Sequence, residues 1–242
     1  MRTFVYGKRN IKELLSDPVN LIFTIGLPVF LLLFMVTFNN SLQINESFEV
    51  ENFVPSTIVF SFTFLTMFSG MLIAKDRSSE FLTRMYVSPL KAHNYILGYM
   101  WPVLLIALIQ IFILYGVGII LGMGLTIHTL ISIPLLLIIA MIFIGLGLVF
   151  GSLLKDSQVG GITSILIQVV AFTSGMWFSL DLVGGVFKTI SQILPFAHSV
   201  DIVRYITTAN YSEVLLSFII VVTYALISIV FAIFAFRKNM KN

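Results

Sequence analysis

Six apolar stretches, each close to twenty residues or longer, punctuate the chain at about 19–38, 55–74, 103–123, 130–154, 159–180 and 214–236. None of them contains Asp, Glu, Lys, Arg or His. A helix needs roughly 20 apolar residues to cross about 30 Å of hydrocarbon. Open strands would leave backbone donors unpaired in lipid, and barrel strands would be only about 9–11 residues long with alternating polarity, a pattern these runs lack. The pattern predicts an all-α integral membrane protein with six transmembrane helices.

Between and before the spans, shorter periodicities predict further elements. Residues 1–17 form an amphipathic helix: Phe4, Ile11 and Leu15 share one face, Lys8 and Lys12 flank it, and Arg9 and Glu13 point away. Such a helix lies in the membrane interface with its lysines reaching for water. Asp17-Pro18 turns the chain into the first span, and Pro28 is expected to bend that span. In the 75–94 connector, Ser79 is placed to cap a short helix ending near Val87, where Ser88-Pro89 stops it. Phe81 and Met85 stack at i, i+4, leaving Arg77, Glu80 and Arg84 for water or a partner. A solvated connector and a docking helix both fit this composition. The pairs Gly118/Gly122 and Gly147/Gly151 have the spacing that lets helix backbones approach closely. Over 181–213 the period predicts two short helices interrupted at Pro195, with Asp201 and Arg204 spaced to pair at i, i+3. Each is too short to cross, so both are expected to dip into the outer leaflet.

Composition settles the solvent. Of the 242 residues 58% are hydrophobic and 10% charged, against about 25% charged in an ordinary soluble domain. Twelve of the fourteen Lys and Arg fall on one side of a six-span arrangement: in 1–17, 75–94, 155–158 and the last six residues. The other side holds Lys188 and Arg204. By the positive-inside rule both termini are cytoplasmic. The net charge of +3 is then accounted for by topology and anionic headgroups, and no nucleic-acid partner is implied. The first apolar run exceeds the roughly 7–15 residues of a signal-peptide core and reads as a retained signal-anchor. With no Cys, disulfides and thiolate chemistry are excluded.

The candidate chemistry is defined by deficits. No Gly-x-x-x-x-Gly-Lys-Ser/Thr occurs, so the chain does not hydrolyse ATP by that device. His93, His128 and His198 lack metal-site spacing. Without an ionisable group inside any span, an intramembrane enzyme and an ion-coupled pump both lose their usual machinery, and energy for transport is expected to enter from outside the bilayer. Two spans carry polar faces: Ser164, Gln168, Ala171 and Gly175 on the fifth, and Thr63, Thr66 and Gly70 on the second. Gln110 sits mid-span in the third. These face either a conduit or a packing interface. Three functions stay open: a permease energised by a partner, a partner-independent channel or carrier, and an intramembrane enzyme.

Several stretches match a known family in order and spacing. They are Ser16-Asp17-Pro18 through Pro28, then Leu82-Thr83-Arg84-Met85-Tyr86-Val87-Ser88-Pro89-Leu90, then Ser174-Gly175-Met176-Trp177-Phe178, then Ile193-Leu194-Pro195 and Asp201-Ile202-Val203-Arg204. Over essentially its full length the chain resembles the permease subunits of bacterial ABC-2 type exporters. The resemblance implies one transmembrane permease domain over 1–242, multi-pass in the cell membrane. It implies pairing with a second copy or a homologous permease, and docking of a separate ABC ATP-binding subunit that holds ATP and Mg; no cofactor is bound by this chain. The 79–87 segment becomes the coupling helix, with Arg77, Glu80, Phe81, Arg84 and Met85 toward the ATPase. Helix 1–17 becomes the interfacial connecting helix. The short helices of 182–208 narrow the exit, where Trp177, Phe187 and Pro195 lie. Spans one and five form much of the dimer contact, so the Ser164–Gly175 face is interface or conduit. The implied activity is export of a hydrophobic or amphipathic molecule, such as a drug-like compound or peptide. Two positions depart from the family pattern: Arg77-Ser78-Ser79-Glu80-Phe81 stands where many members have a Glu and a Gly-Thr pair, and Ser179 stands where Pro is common.

Overall fold

The computed structural model describes residues 2–16, 18–42, 46–79 and 92–239. Helices account for nearly all of them, and no strand occurs among the described residues. The order is α1 (Arg2–Leu15), α2 (Pro18–Leu21), a π-helical turn (Ile22–Gly26), α3 (Leu27–Leu42), a short 3-10 turn (Glu46–Phe48) and α4 (Val50–Ser78). Then come α5 (Ala92–Ile120), α6 (Ile127–Leu153), α7 (Asp156–Thr173), α8 (Leu180–Val183), α9 (Gly185–Ile193), α10 (Pro195–Thr207), a 3-10 turn (Tyr211–Glu213) and α11 (Val214–Asn239).

Helix α4 is the axis. In its most apolar window 89% of residues are buried, against 28% in the first long helix and 22% in the last. Its tightest neighbour is α6. A Cβ on Gly147 would lie 2.3 Å from the Thr66 carbonyl, and one on Gly151 2.2 Å from the Gly70 carbonyl, so the two backbones touch where the glycine spacing predicts. Thr66 Oγ1 and Ser69 Oγ donate across this seam to Phe143 O and Ile144 O at 3.0 and 3.3 Å. The other pair behaves differently. Gly118 packs on Val54, but Gly122 sits at φ +108° with open space where a side chain would begin; it ends α5 in the left-handed region instead of packing a helix face.

Pro28 and Pro102 shape two of the long helices, and the carbonyls they free are met from other helices. Pro28 has no N–H for the carbonyl of Thr24, four residues earlier, and the chain widens into the π turn there. Gln110 Nε2 on α5 donates to that carbonyl at 2.9 Å. Pro102 likewise frees the carbonyl of Gly98, and Asn10 Nδ2 on α1 donates to it at 3.1 Å. Both amides belong to fully buried residues. Proline is tolerated in spanning helices on this condition.

Five helices are long and apolar enough to cross a membrane: Ile22–Leu42, Val50–Ser78, His93–Ile120, Ile127–Leu153 and Tyr211–Lys238. The expected fifth span, 159–180, is not among them. Its helix α7 stops at Thr173 after 18 residues, because the chain turns at Gly175 with φ +71°. Helix α1 and the end of α11 nevertheless meet at one end of the bundle. Phe236 near the end of α11 packs on Tyr95 at the start of α5, ring centroids 5.5 Å apart, and α1 binds the same region. We refer to this as the basic end. The interrupted helices of 181–213 are present, with the break at Pro195 as the sequence predicts.

Helix α1 presents a different face from the expected one. Gly7, Asn10 and Leu14 are buried against the bundle, whereas Lys8 and Lys12 are exposed. Arg9 and Glu13, expected to point away, turn inward: a carboxylate on α4 attracts Arg9, and Arg9 together with Lys75 attracts Glu13.

Candidate functional site

That carboxylate is Asp76, in the last turn of α4 and 1% exposed. Arg9 grips it with both guanidinium nitrogens, Nη1 to Oδ2 and Nη2 to Oδ1, each at 2.6 Å. Tyr99 Oη on α5 donates to Oδ2 at 2.8 Å. Glu13, one turn after Arg9 on α1, accepts from Arg9 at 2.9 Å and from Lys75 Nζ at 2.8 Å. Two cations and two anions are thus linked, and the fork geometry of Arg9 adds direction as well as strength. Asn10, beside Arg9, holds Gly98 as described, and the Trp101 ring fills the space over Gly7. α1 therefore ties the end of α4 to the start of α5. These are the two arms of the 80–91 segment.

Arg77 is engaged elsewhere. It lies inside α4, not in a connector, and donates to the carbonyls of Ser152 and Leu154. Those are orphan acceptors at the C-terminus of α6, where a cation is also favoured by the helix dipole. This corrects the expectation that Arg77 is left for water or a partner. Ser79 ends α4, as its C-cap. Asp17, Glu80, Phe81, Arg84 and Met85 lie outside the described residues.

At the opposite end α10 carries a second polar node. Arg204 does not form the expected pair with Asp201. Its Nη2 donates to Ser56 Oγ at 2.8 Å and to Gly175 O at 3.4 Å, and its Nε to Asn52 O at 3.3 Å. The first turns of α4 offer acceptors that the guanidinium reaches across the helix interface. Asp201 is half-buried. Burial pushes its carboxyl above the ordinary range, with Arg204 and His198 pulling it back and Asp181 adding to the rise. Burial likewise lowers Arg204. Nearby, Trp177 packs on Phe48 and Phe53, Phe187 on Phe178, and Pro195 is the buried first residue of α10.

The polar faces separate. Ser164 and Gln168 are exposed on α7, whose other face packs on α4 through Val159, Thr163 and Val170. Thr63, Thr66 and Gln110 are enclosed within the bundle, and Thr66 and Gln110 hydrogen-bond to other helices there. Gly175 forms the turn after α7. Beside α7 an apolar cleft of about 380 Å³ opens between α6, α7 and α11, lined by Leu146, Leu166, Val169, Phe196, Ile227 and Phe231 among others. No group of three metal-ligating side chains occurs among the described residues.

Sequence reasoning missed Asp76, Asn10 and Tyr99. Asp76 stands two residues beyond an apolar run, inside a Lys-Asp-Arg triplet that reads as connector; its burial follows from partners 67 and 23 residues away. No curated protein matches the chain. The family model described as ABC-2 type transporter matches residues 1–208.

Proposed function

The chain belongs to the ABC-2 type transporter family, and from that premise we propose that it is the permease subunit of an ATP-driven exporter, working with a separate ATPase. It is a multi-pass membrane protein and a transporter component. The observation that carries the finer reading is the Asp76 clasp. The two helices that flank 80–91, which holds most of the segment assigned to ATPase contact, are fastened to each other and to α1: α4 by buried and partly buried charge pairs, and α5 by the hydrogen bonds of Tyr99 and Gly98. A push on that segment is then passed into α4, the buried axis.

Other features support the remaining parts. The meeting of α1 with the end of α11 at the basic end supports an even number of crossings with α7 as the sixth, and the positive charge there favours a cytoplasmic location. Ser164 and Gln168 on the exposed face of α7 are poorly matched to lipid, which favours cover by a second permease copy or a homologous one. The short helices α8 and α9 expose Leu182, Val186, Ile190 and Ile193, as helices seated in the outer leaflet do. The apolar cleft suits a hydrophobic or amphipathic substrate leaving the cell membrane.

Affinity purification of the tagged chain from its own membranes tests the proposal. A stoichiometric ABC ATPase should accompany it, and replacing Glu80 and Arg84 together with Ala should lower substrate-stimulated ATPase activity while membrane insertion is retained. Flux through the purified chain alone in liposomes, without ATP, would establish a channel or carrier instead. Chemical alteration of an added lipid or peptide would point to an enzyme.

A further inference from the structure

The node around Arg204 holds a cation that has passed over its nearest carboxylate. Asp201 is three residues earlier on the same helix, within reach of an i, i+3 pair. Arg204 spends its donors on three neutral oxygens of two other segments: Ser56 Oγ and Asn52 O at the start of α4, and Gly175 O in the turn after α7. Among the described residues the Asp201 carboxylate has no hydrogen-bond or ion-pair partner. A permanent staple between helices is better made with a carboxylate on the facing helix, which leaves no charge unpaired. Here the carboxylate is on Arg204's own helix, where it contributes nothing to holding α10 against α4. It offers the guanidinium a second partner only when the first three withdraw.

The groups around this pair define the choice. Ser56 Oγ donates to Asn52 O at 2.7 Å, so its lone pairs are left for Arg204 and the two α4 acceptors form one unit. His198 is held by Gln192 O and Ser217 Oγ, and Asp181 is held by Lys188. Neither competes directly for Arg204. Gly175 sits in a left-handed turn, at a joint between α7 and the short helices.

We propose that Arg204 is a positioning residue with two alternative partner sets: Ser56, Asn52 and Gly175 while α4, α10 and the turn after α7 are drawn together, and Asp201 once they separate. Each arrangement satisfies the charge, so the far end of the bundle has two discrete states instead of a continuum. The proposal rests on the permease reading for its meaning, since that end is where substrate would leave. Its test does not use transport.

The chain contains no Cys, so labels can be placed without background. Nitroxides at Glu51→Cys and Thr208→Cys, both exposed, report the separation of α4 and α10 by pulsed electron resonance on the full chain in lipid nanodiscs. Ser56→Ala, which removes one acceptor and no charge, should raise the long-distance share about tenfold. Adding Asp201→Asn should reverse that rise, because the separated state then has no counter-charge. If Ser56→Ala leaves the distances unchanged, or Asp201→Asn fails to reverse its effect, the proposal is overturned. A structural staple predicts no reversal. The purified chain gives this answer whether or not an ATPase is found with it, so loss of the latch and loss of the permease reading are separate outcomes.

Discussion

At the scale of single residues, the two halves of the Asp76 clasp are not equivalent. Asp76 is 1% exposed and Arg9 37%. Removing Arg9 leaves a buried carboxylate without its guanidinium, whereas removing Asp76 leaves a guanidinium that still has Glu13 and water. Breaking a buried pair from the side that leaves the charge enclosed costs about 3–5 kcal/mol. Arg9→Met should therefore lower stability by about 3 kcal/mol and Asp76→Asn by roughly half that, measured by thermal unfolding in detergent; equal losses would contradict the asymmetry. Asp201 makes a pH prediction of the opposite kind. Its carboxyl is raised in the folded chain, so the folded state binds the proton more tightly than the unfolded one. That contribution is fully present below the ordinary carboxyl range and is lost as pH rises through the raised value. Asp201→Asn should accordingly raise the unfolding midpoint at pH 7, and the gain over the unaltered chain should shrink as pH falls and disappear below about pH 3. A gain independent of pH would show that ionisation is not its source.

At the scale of elements, much was legible and the reason is local. Apolar run length located the long helices, and Pro195 located a break, because both act within one turn or one span of chain. Gly147 and Gly151 announced a close approach by their spacing alone. The failures share a cause: their outcome depends on something distant. Gly122 has the same spacing as Gly151 but no helix opposite it. The α7 boundary was set by a left-handed turn inside an apolar run, where hydropathy is blind. Pro28 and Pro102 could be read as bends, but the donors that repair them sit 86 and 88 residues from the carbonyls they serve. This pairing can be tested as a cycle. Asn10→Leu should cost about 1–3 kcal/mol, the penalty of an unsatisfied buried carbonyl. In a Pro102→Ala background, where the restored N–H meets Gly98 O within the helix, the same change should cost much less. Equal costs in the two backgrounds, by thermal unfolding, would mean that Asn10 acts through packing and not through the freed carbonyl.

At the scale of the whole molecule, the decisive question is parity. Five helices pass as spans on length and hydropathy, and five crossings would put the two basic termini on opposite faces of the membrane. The packing of Phe236 on Tyr95, beside the Arg9–Asp76–Tyr99 clasp, places them together. In the proposed six-span arrangement the further traverse between α6 and α11 is α7, which runs from Asp156 at the basic end to the Gly175 turn that Arg204 holds at the other. It does so with 18 residues, near the lower limit of about 17 for a span, and with a polar face that another protein surface would shield. The charge asymmetry fixes the sense of insertion once the parity is even. Single cysteines in this Cys-free chain should therefore sort cleanly in intact cells. Leu182→Cys and Tyr211→Cys should react with a membrane-impermeant maleimide from outside, and Lys155→Cys and Lys238→Cys only after permeabilisation. Lys155 and Leu182 bracket α7 and its turn, so they are the pair that decides: labelling of both from the same side would mean that α7 does not cross, and the even count and the shared cytoplasmic location of the termini would fall together.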